Sequence, residues 1–211
     1  MNNFYSGLFH TIDWNLFFLA SFLFFAGVLA AIPVVKKDIT FLLLYPLWVW
    51  KKLKEILEKN NSFLKLFFLI FVFNSLSLFT NFLSGFGIIL PYLLLLFTGL
   101  NVGIIGYKEG KLKALFVMFL SPHAFFELPA LWMSAMLGMK IGANLVSSAT
   151  EIFDLFGLGL LFFGGIIIPL LLIAALIESA LIRISIISLK QSPPLPAEPL
   201  QTQEQNHSNE Q

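Results

Sequence analysis

Five stretches of this chain are long and apolar enough to cross a lipid bilayer, and no other property limits its fold so sharply. They lie at about residues 14–35, 62–83, 88–107, 114–139 and 155–182. A helix needs roughly 20 mostly apolar residues to cross the hydrocarbon core. Inside lipid, only a helix or a closed barrel satisfies its own backbone. The 211 residues are 58% hydrophobic and 12% charged, against about a quarter charged in water-soluble domains. A soluble fold of this size has too little interior to hide that much apolar surface. The expected fold is therefore all-α, a polytopic transmembrane bundle of about five spans within one domain, residues 1–190. A Gly-rich turn at 84–87 joins the second span to the third. Residues 1–13 carry no basic n-region, and the apolar run after them is too long for a signal peptide, so the first span is read as retained. The absence of Cys excludes disulfides and thiolate chemistry.

The placement of the cations orients the bundle. Five crossings with the N-terminus outside put Lys36, Lys37, Lys51, Lys52, Lys54, Lys59, Lys65, Lys108, Lys111, Lys113, Arg183 and Lys190 on one side. Only Lys140 falls on the other, so 12 of the 13 Lys and Arg residues share a side. Lys and Arg collect on the cytoplasmic side of membrane proteins. An even number of crossings would separate Arg183 and Lys190 from the rest. The expected placement is a multi-pass protein of the cell membrane with its C-terminus in the cytoplasm.

Two segments fall outside the spans. Residues 41–58 are too short in their apolar part to cross. Counted from Pro46, which suits a first helical turn, Val49, Leu53, Ile56 and Leu57 share one helical face. Lys51, Lys52, Lys54, Glu55, Glu58 and Lys59 occupy the other. Trp48 and Trp50 suit headgroup depth. This pattern predicts an amphipathic helix lying on the inner surface, its lysines near anionic lipid. Residues 191–211 are rich in Pro, Gln, Asn and Glu and poor in apolar side chains. They are expected to form a disordered cytoplasmic tail.

Function should be sought among polar residues within the spans. The centre of the fourth span reads Leu120-Ser121-Pro122-His123-Ala124-Phe125-Phe126-Glu127-Leu128-Pro129-Ala130. Pro122 and Pro129 each remove a backbone hydrogen bond and clash one turn back, which predicts a kinked helix. Lipid tolerates such a break only where protein or water covers the freed carbonyls. His123 and Glu127 are four residues apart and share a face. Ionisable groups at this depth are costly and turn toward the bundle or a wet cavity. The pair is either a proton-carrying or ligand-binding site, or a neutral hydrogen bond that pins the kink. Asn74, Asn101 and Glu178 lie in other spans and are candidates to join it. Asn residues also simply glue membrane helices together, and Glu178 lies near enough to the inner end to pair with Arg183. Gly99 with Gly103 and Gly138 with Gly142 form Gly-x-x-x-Gly faces suited to close helix contact, within one chain or between two copies.

Metal catalysis finds little support at this level. His123 and Glu127 offer two ligands, whereas a catalytic zinc takes three protein ligands and a water. The remaining histidines, His10 and His207, lie outside the spans. No His-Glu-x-x-His, Gly-x-Ser-x-Gly or P-loop pattern is present. The expectation is a non-enzymatic protein with no metal, no cofactor and no nucleic-acid partner.

These residues also carry a family resemblance. Residues 121–130, followed by Gly138-Met-Lys-Ile-Gly142, resemble the Pro-His-Gly-x-x-Glu-x-Pro-Ala and Gly-x-x-x-Gly signature of the stage II sporulation protein M family of integral membrane proteins. Phe73-Asn74 is similar to the start of that family's asparagine pair. Residues 97–103 resemble its Asn-Gly-x-x-x-Gly turn, and residues 168–178 resemble its closing helix. Ser75, Thr98 and Ala124 depart from the pattern. The resemblance implies a membrane anchor or scaffold for partner proteins, such as an extracytoplasmic wall-degrading complex. A transporter or channel for a small solute or ion, using the His/Glu pair, is the alternative. The lipid bilayer, a second copy of the chain and a membrane or extracytoplasmic protein are the expected partners.

Overall fold

The computed structural model describes residues 2–59, 62–145 and 149–191. Among them the chain is an all-α bundle without strands. Its helices are α1 (Asn2–His10), α2 (Trp14–Lys36), α3 (Thr40–Lys59), α4 (Phe63–Leu83), α5 (Leu90–Phe119), α6 (Ala124–Leu145), α7 (Ala149–Phe162) and α8 (Ile168–Gln191). Four helical stretches are long and apolar enough to cross a membrane: Trp14–Lys36, Phe63–Gly87, Leu90–Phe119 and Ile152–Ser185. The last of these runs through α7, a single π turn at Phe163–Ile167, and α8. A π turn forms where one extra residue is inserted into the helical ladder. Residues 192–211, the bulk of the expected tail, lie outside the described residues.

Local sequence explains the helix ends. The Asp13 carboxylate caps α2 by accepting from the backbone N–H groups of Asn15 and Leu16, at 3.0 and 3.1 Å. A capping carboxylate satisfies donors that the first turn leaves open and complements the helix dipole. A 3-10 turn, Ser84–Gly87, reverses the chain between α4 and α5. Within α5, Gly110 and Lys111 leave helical geometry, Lys111 at φ 55°. The chain folds back there, so that a Cβ added at Gly106 would meet Leu115.

Glycines set the packing. A Cβ at Gly99 would strike the backbone carbonyl of Phe24, one at Gly27 that of Leu96, and one at Gly103 would lie 2.6 Å from the Ala31 Cβ. Contacts advance in step along both helices, so α2 and α5 run parallel with their backbones nearly touching. Gly138 and Gly142 do the same on the other side. A Cβ at Gly138 would lie 2.6 Å from the Asn81 carbonyl oxygen, and one at Gly142 would lie 3.1 Å from that of Gly85. Both Gly-x-x-x-Gly faces are therefore spent inside the chain, and neither argues for a second copy.

α6 sits at the centre. Ala130, Leu131, Met133, Ala135, Met136, Leu137, Met139 and Ile141 are all buried. They pack with Phe24 of α2, Phe82 of α4, and Phe162 and Leu171 of the last stretch. A helix enclosed by protein need not be uniformly apolar, and α6 carries both Glu127 and Lys140. The Lys140 ammonium donates to the Thr11 carbonyl at 3.2 Å, tying the segment after α1 to α6.

α3 docks against the middle of α5. Leu43 is buried against the cluster of Ala31, Val34, Leu100 and Ile104. The Trp50 indole N–H and the Lys54 ammonium both donate to Glu109, at 2.7 and 2.8 Å. Phe41, Leu44, Tyr45 and Trp48, spaced as one helical stripe, face outward instead. Pro46 lies inside α3, not in its first turn as its sequence context suggests. The helix already starts at Thr40, stabilised by the packing of Leu43.

Candidate functional site

The kink expected near Pro122 is a full interruption, and the stretch expected to cross at 114–139 is not among the four long apolar ones. Residues 112–119 are helical, residues 120–123 are not, and α6 begins at Ala124. Pro122 lies in the gap and Pro129 within α6. Pro122 cannot donate a backbone bond, so the turn is closed by others. The Ala124 N–H donates to the Ser121 carbonyl and the Glu127 N–H to the His123 carbonyl, each at 3.0 Å. The break has a chemical consequence. It places Glu127 in the first turn of a helix, where open N–H groups and the dipole favour a carboxylate.

α6 and α4 run in the same direction, since the Ser134 hydroxyl donates to the Leu78 carbonyl and Gly138 abuts Asn81. Glu127 precedes Gly138 by eleven residues, or about 16 Å of helical rise. Gly138 lies level with the turn that ends α4. That distance is about half the thickness of a hydrocarbon core, so a membrane-crossing α6 carries Glu127 to mid-depth.

The tertiary structure brings a third group to this pair. One ring nitrogen of His123 and one carboxylate oxygen each of Glu127 and Glu178 lie within 4.8 Å of one another. All three residues are partly buried. Glu178 comes from α8, 51 residues beyond Glu127, and faces this pair. Sequence position alone made Arg183 an equally natural partner for it.

The surroundings orient the imidazole. The Ser121 hydroxyl donates to the Met118 carbonyl, and its oxygen lies 3.3 Å from His123 Nε2. With its own hydrogen engaged, Ser121 Oγ offers a lone pair. His123 is thereby assigned the tautomer with hydrogen on Nε2, an assignment from the bonding pattern. His123 Nδ1 is then an acceptor, and it is buried without a hydrogen-bond partner.

The two asparagines named by the sequence do not share one place. Asn101 lines a cleft of about 710 Å³ between α4 and α5, closed at one end by Phe41, Tyr45 and Pro46 of α3. Neither His123 nor either glutamate lines it. Asn74 lies on α4 one turn before Leu78 and is not among the cleft's lining residues. Asn81 does line the cleft, is 3% exposed, and leaves its side-chain oxygen without a partner. Sequence reading missed Asn81 and the buried Ser134. The one available signal for Ser134 was its position seven residues, two turns, after Glu127 on the same face.

The family model described as Stage II sporulation protein M matches residues 15–181. No curated protein and no solved structure matches the chain.

Proposed function

The chain belongs to the stage II sporulation protein M family, and on that premise we propose that this multi-pass membrane protein is a scaffold that anchors partner proteins in the bilayer. The observation that carries the reading is the cleft between α4 and α5. These helices are consecutive and joined by a tight turn, yet they stand apart over residues 73–81 and 94–105. The rim is apolar and outward-facing, with Phe73, Leu76 and Phe97 exposed. Its lining includes Ser77, Thr80, Asn81, Thr98 and Asn101. An apolar rim with polar groups inside suits a partner's transmembrane helix, because side-chain hydrogen bonds and close packing hold helices together in lipid.

A photo-crosslinking residue at Phe97 tests this. In native membranes it is expected to form a protein adduct that Asn101→Leu weakens, while the same residue at Phe125, exposed on α6, does not form it. Adducts to lipid alone at Phe97, or equal protein adducts at both positions, would remove the cleft as a docking site.

The same reading orients the chain by its cations, with five crossings, the N-terminus outside and the C-terminus in the cytoplasm of the cell. α3 then lies at the inner surface, and its outward stripe of Phe41, Leu44, Tyr45 and Trp48 enters lipid at headgroup depth. A reporter fused after Lys190 is expected to read cytoplasmic and one inserted at Asn144 external. A cytoplasmic signal at Asn144 is incompatible with five crossings.

Transport of a small solute or ion is a second reading, and one specific observation favours it. Three ionisable side chains meet at a broken helix, which is how membrane transporters hold charged cargo away from lipid.

A further inference from the structure

We propose that His123, Glu127 and Glu178 form a binding site for one divalent first-row transition-metal ion, with Zn²⁺ and Co²⁺ as probes. The inference holds whether the chain anchors partners or moves a solute.

Ligand number comes first. Two ligands from one helix turn were too few for a metal, and α8 supplies the third. Their potential ligand atoms lie within 4.8 Å of one another. Bonds of about 2.0–2.2 Å in a tetrahedral site place ligand atoms about 3.3–3.6 Å apart. Small side-chain rotations close that difference. One imidazole and two carboxylates leave a fourth position open, the arrangement of zinc sites that keep an exchangeable ligand.

The second observation is independent of the clustering. His123 Nδ1 is buried and unpartnered, as are Ser75 Oγ, Asn81 Oδ1 and Trp132 Nε1, whereas buried polar atoms in folded proteins ordinarily find a partner; of the four, only the imidazole nitrogen is a strong metal ligand. Ser121 holds the opposite ring nitrogen, as an outer partner does for a metal-bound histidine, where it fixes both tautomer and ring orientation. The free lone pair is what a metal requires.

Charge supplies the third argument. Two carboxylates this close at mid-depth repel each other and carry a heavy desolvation cost. Uptake of protons and binding of a dication are the two ways to neutralise them. A dication satisfies both carboxylates and the His123 lone pair together, whereas protons on the glutamates leave Nδ1 without a donor unless a carboxyl turns toward it. Nitrogen and oxygen donors of this mix suit Zn²⁺, Mn²⁺, Fe²⁺ and Co²⁺ better than Ca²⁺, which takes six to eight oxygens.

The test uses the full chain, tag-free, in detergent, stripped with chelator and dialysed against Zn²⁺ or Co²⁺. Wild type is expected to retain roughly one metal per chain, as three protein ligands imply, and to show the visible absorption bands of low-coordinate Co²⁺. Glu178→Gln and His123→Gln should each lower zinc affinity by at least the roughly 10- to 100-fold lost with outer partners. His10→Ala with His207→Ala should change neither reading. Size-exclusion and thermal profiles establish which variants fold. Should the glutamine variants fail to fold, the Co²⁺ spectrum of wild type decides by itself. Wild type without visible Co²⁺ bands, or zinc uptake that survives both glutamine substitutions in folded protein, overturns the metal site and leaves the trio a proton-binding cluster.

Discussion

Gly99→Leu is expected to remove most of the folded protein, not to split a dimer into monomers. Gly99 is buried where α5 crosses α2, and a Cβ there would strike the carbonyl oxygen of Phe24, with the carbonyl carbon 2.9 Å away. These are backbone atoms, so no side chain can rotate aside. Overpacking in a close-packed interior typically costs about 1–3 kcal/mol where neighbours can yield. Here α2 and α5 must move apart, loosening Gly27 against Leu96 and Gly103 against Ala31 as well. The cost should reach or pass the upper end of that range. Gly157→Ala is the control, because no atom lies within 4 Å of a Cβ at that position. It should be neutral or mildly stabilising, since alanine is the better helix former by roughly 0.5–1 kcal/mol. Fluorescence-detected size exclusion and a thermal midpoint in detergent check both. A Gly99→Leu protein with the wild-type profile and midpoint would show that α2 and α5 do not meet as described.

Glu127→Gln and Glu178→Gln are each expected to leave the fold intact and abolish complementation in cells at matched membrane expression. Glutamine keeps the size and hydrogen-bonding capacity of glutamate and removes its charge. The buried faces around the site, from Ala130 to Met136 on α6 and from Leu171 to Ala175 on α8, are untouched. Because the side chains meet within 4.8 Å, the double variant should be no worse than either single one. Contacting residues characteristically couple by about 0.5–3 kcal/mol and do not add. Liposome flux separates the two functional readings. Flux in wild type that either substitution stops belongs to transport, and loss of complementation without any flux belongs to a scaffold whose site acts on assembly. Full complementation by both single variants would leave the trio a structural device of the helix break.

Much of the fold was legible because lipid acts on each residue locally. Hydropathy over about 20 residues is enough to mark a spanning helix, and α2, α4 and the first part of α5 coincide closely with the expected spans. Helix α3 likewise appears where its amphipathic pattern places it. The interruption near Pro122 was legible in kind, since proline acts on its own turn, but not in degree. Whether the chain bends or stops depends on what covers the freed carbonyls, and here Ser121 and His123 close the turn themselves. α1 was missed because nine residues of modest apolarity are too few to stand out before a membrane-length apolar run; α6 and the 3.2 Å bond from Lys140 secure the segment that follows it.

The candidate site divides along the same line. His123 and Glu127 were legible as a pair because four residues make one helical turn, a property of the backbone alone. Glu178 was legible only as a polar residue in an apolar stretch. Its partner depended on the rotation of α8 about its axis, which is set by Phe163 packing on Phe79 and Phe82 and by the π turn that shifts every later side chain. Asn101 and Asn81 share a cleft for a similar reason: the separation of α4 from α5 follows from α5 pressing its glycines against α2 instead. The sequence by itself determined that this chain is an apolar helical bundle, and that a proline-broken segment carries His123 and Glu127 one turn apart. Only the tertiary structure decided that Glu178 completes the cluster, that Asn101 belongs to a different place, and that the Gly-x-x-x-Gly faces close on the chain itself. Burial and helix breaking are summed over neighbours along the chain, whereas the meeting of distant side chains depends on helix register and rotation, which arise only when the helices pack.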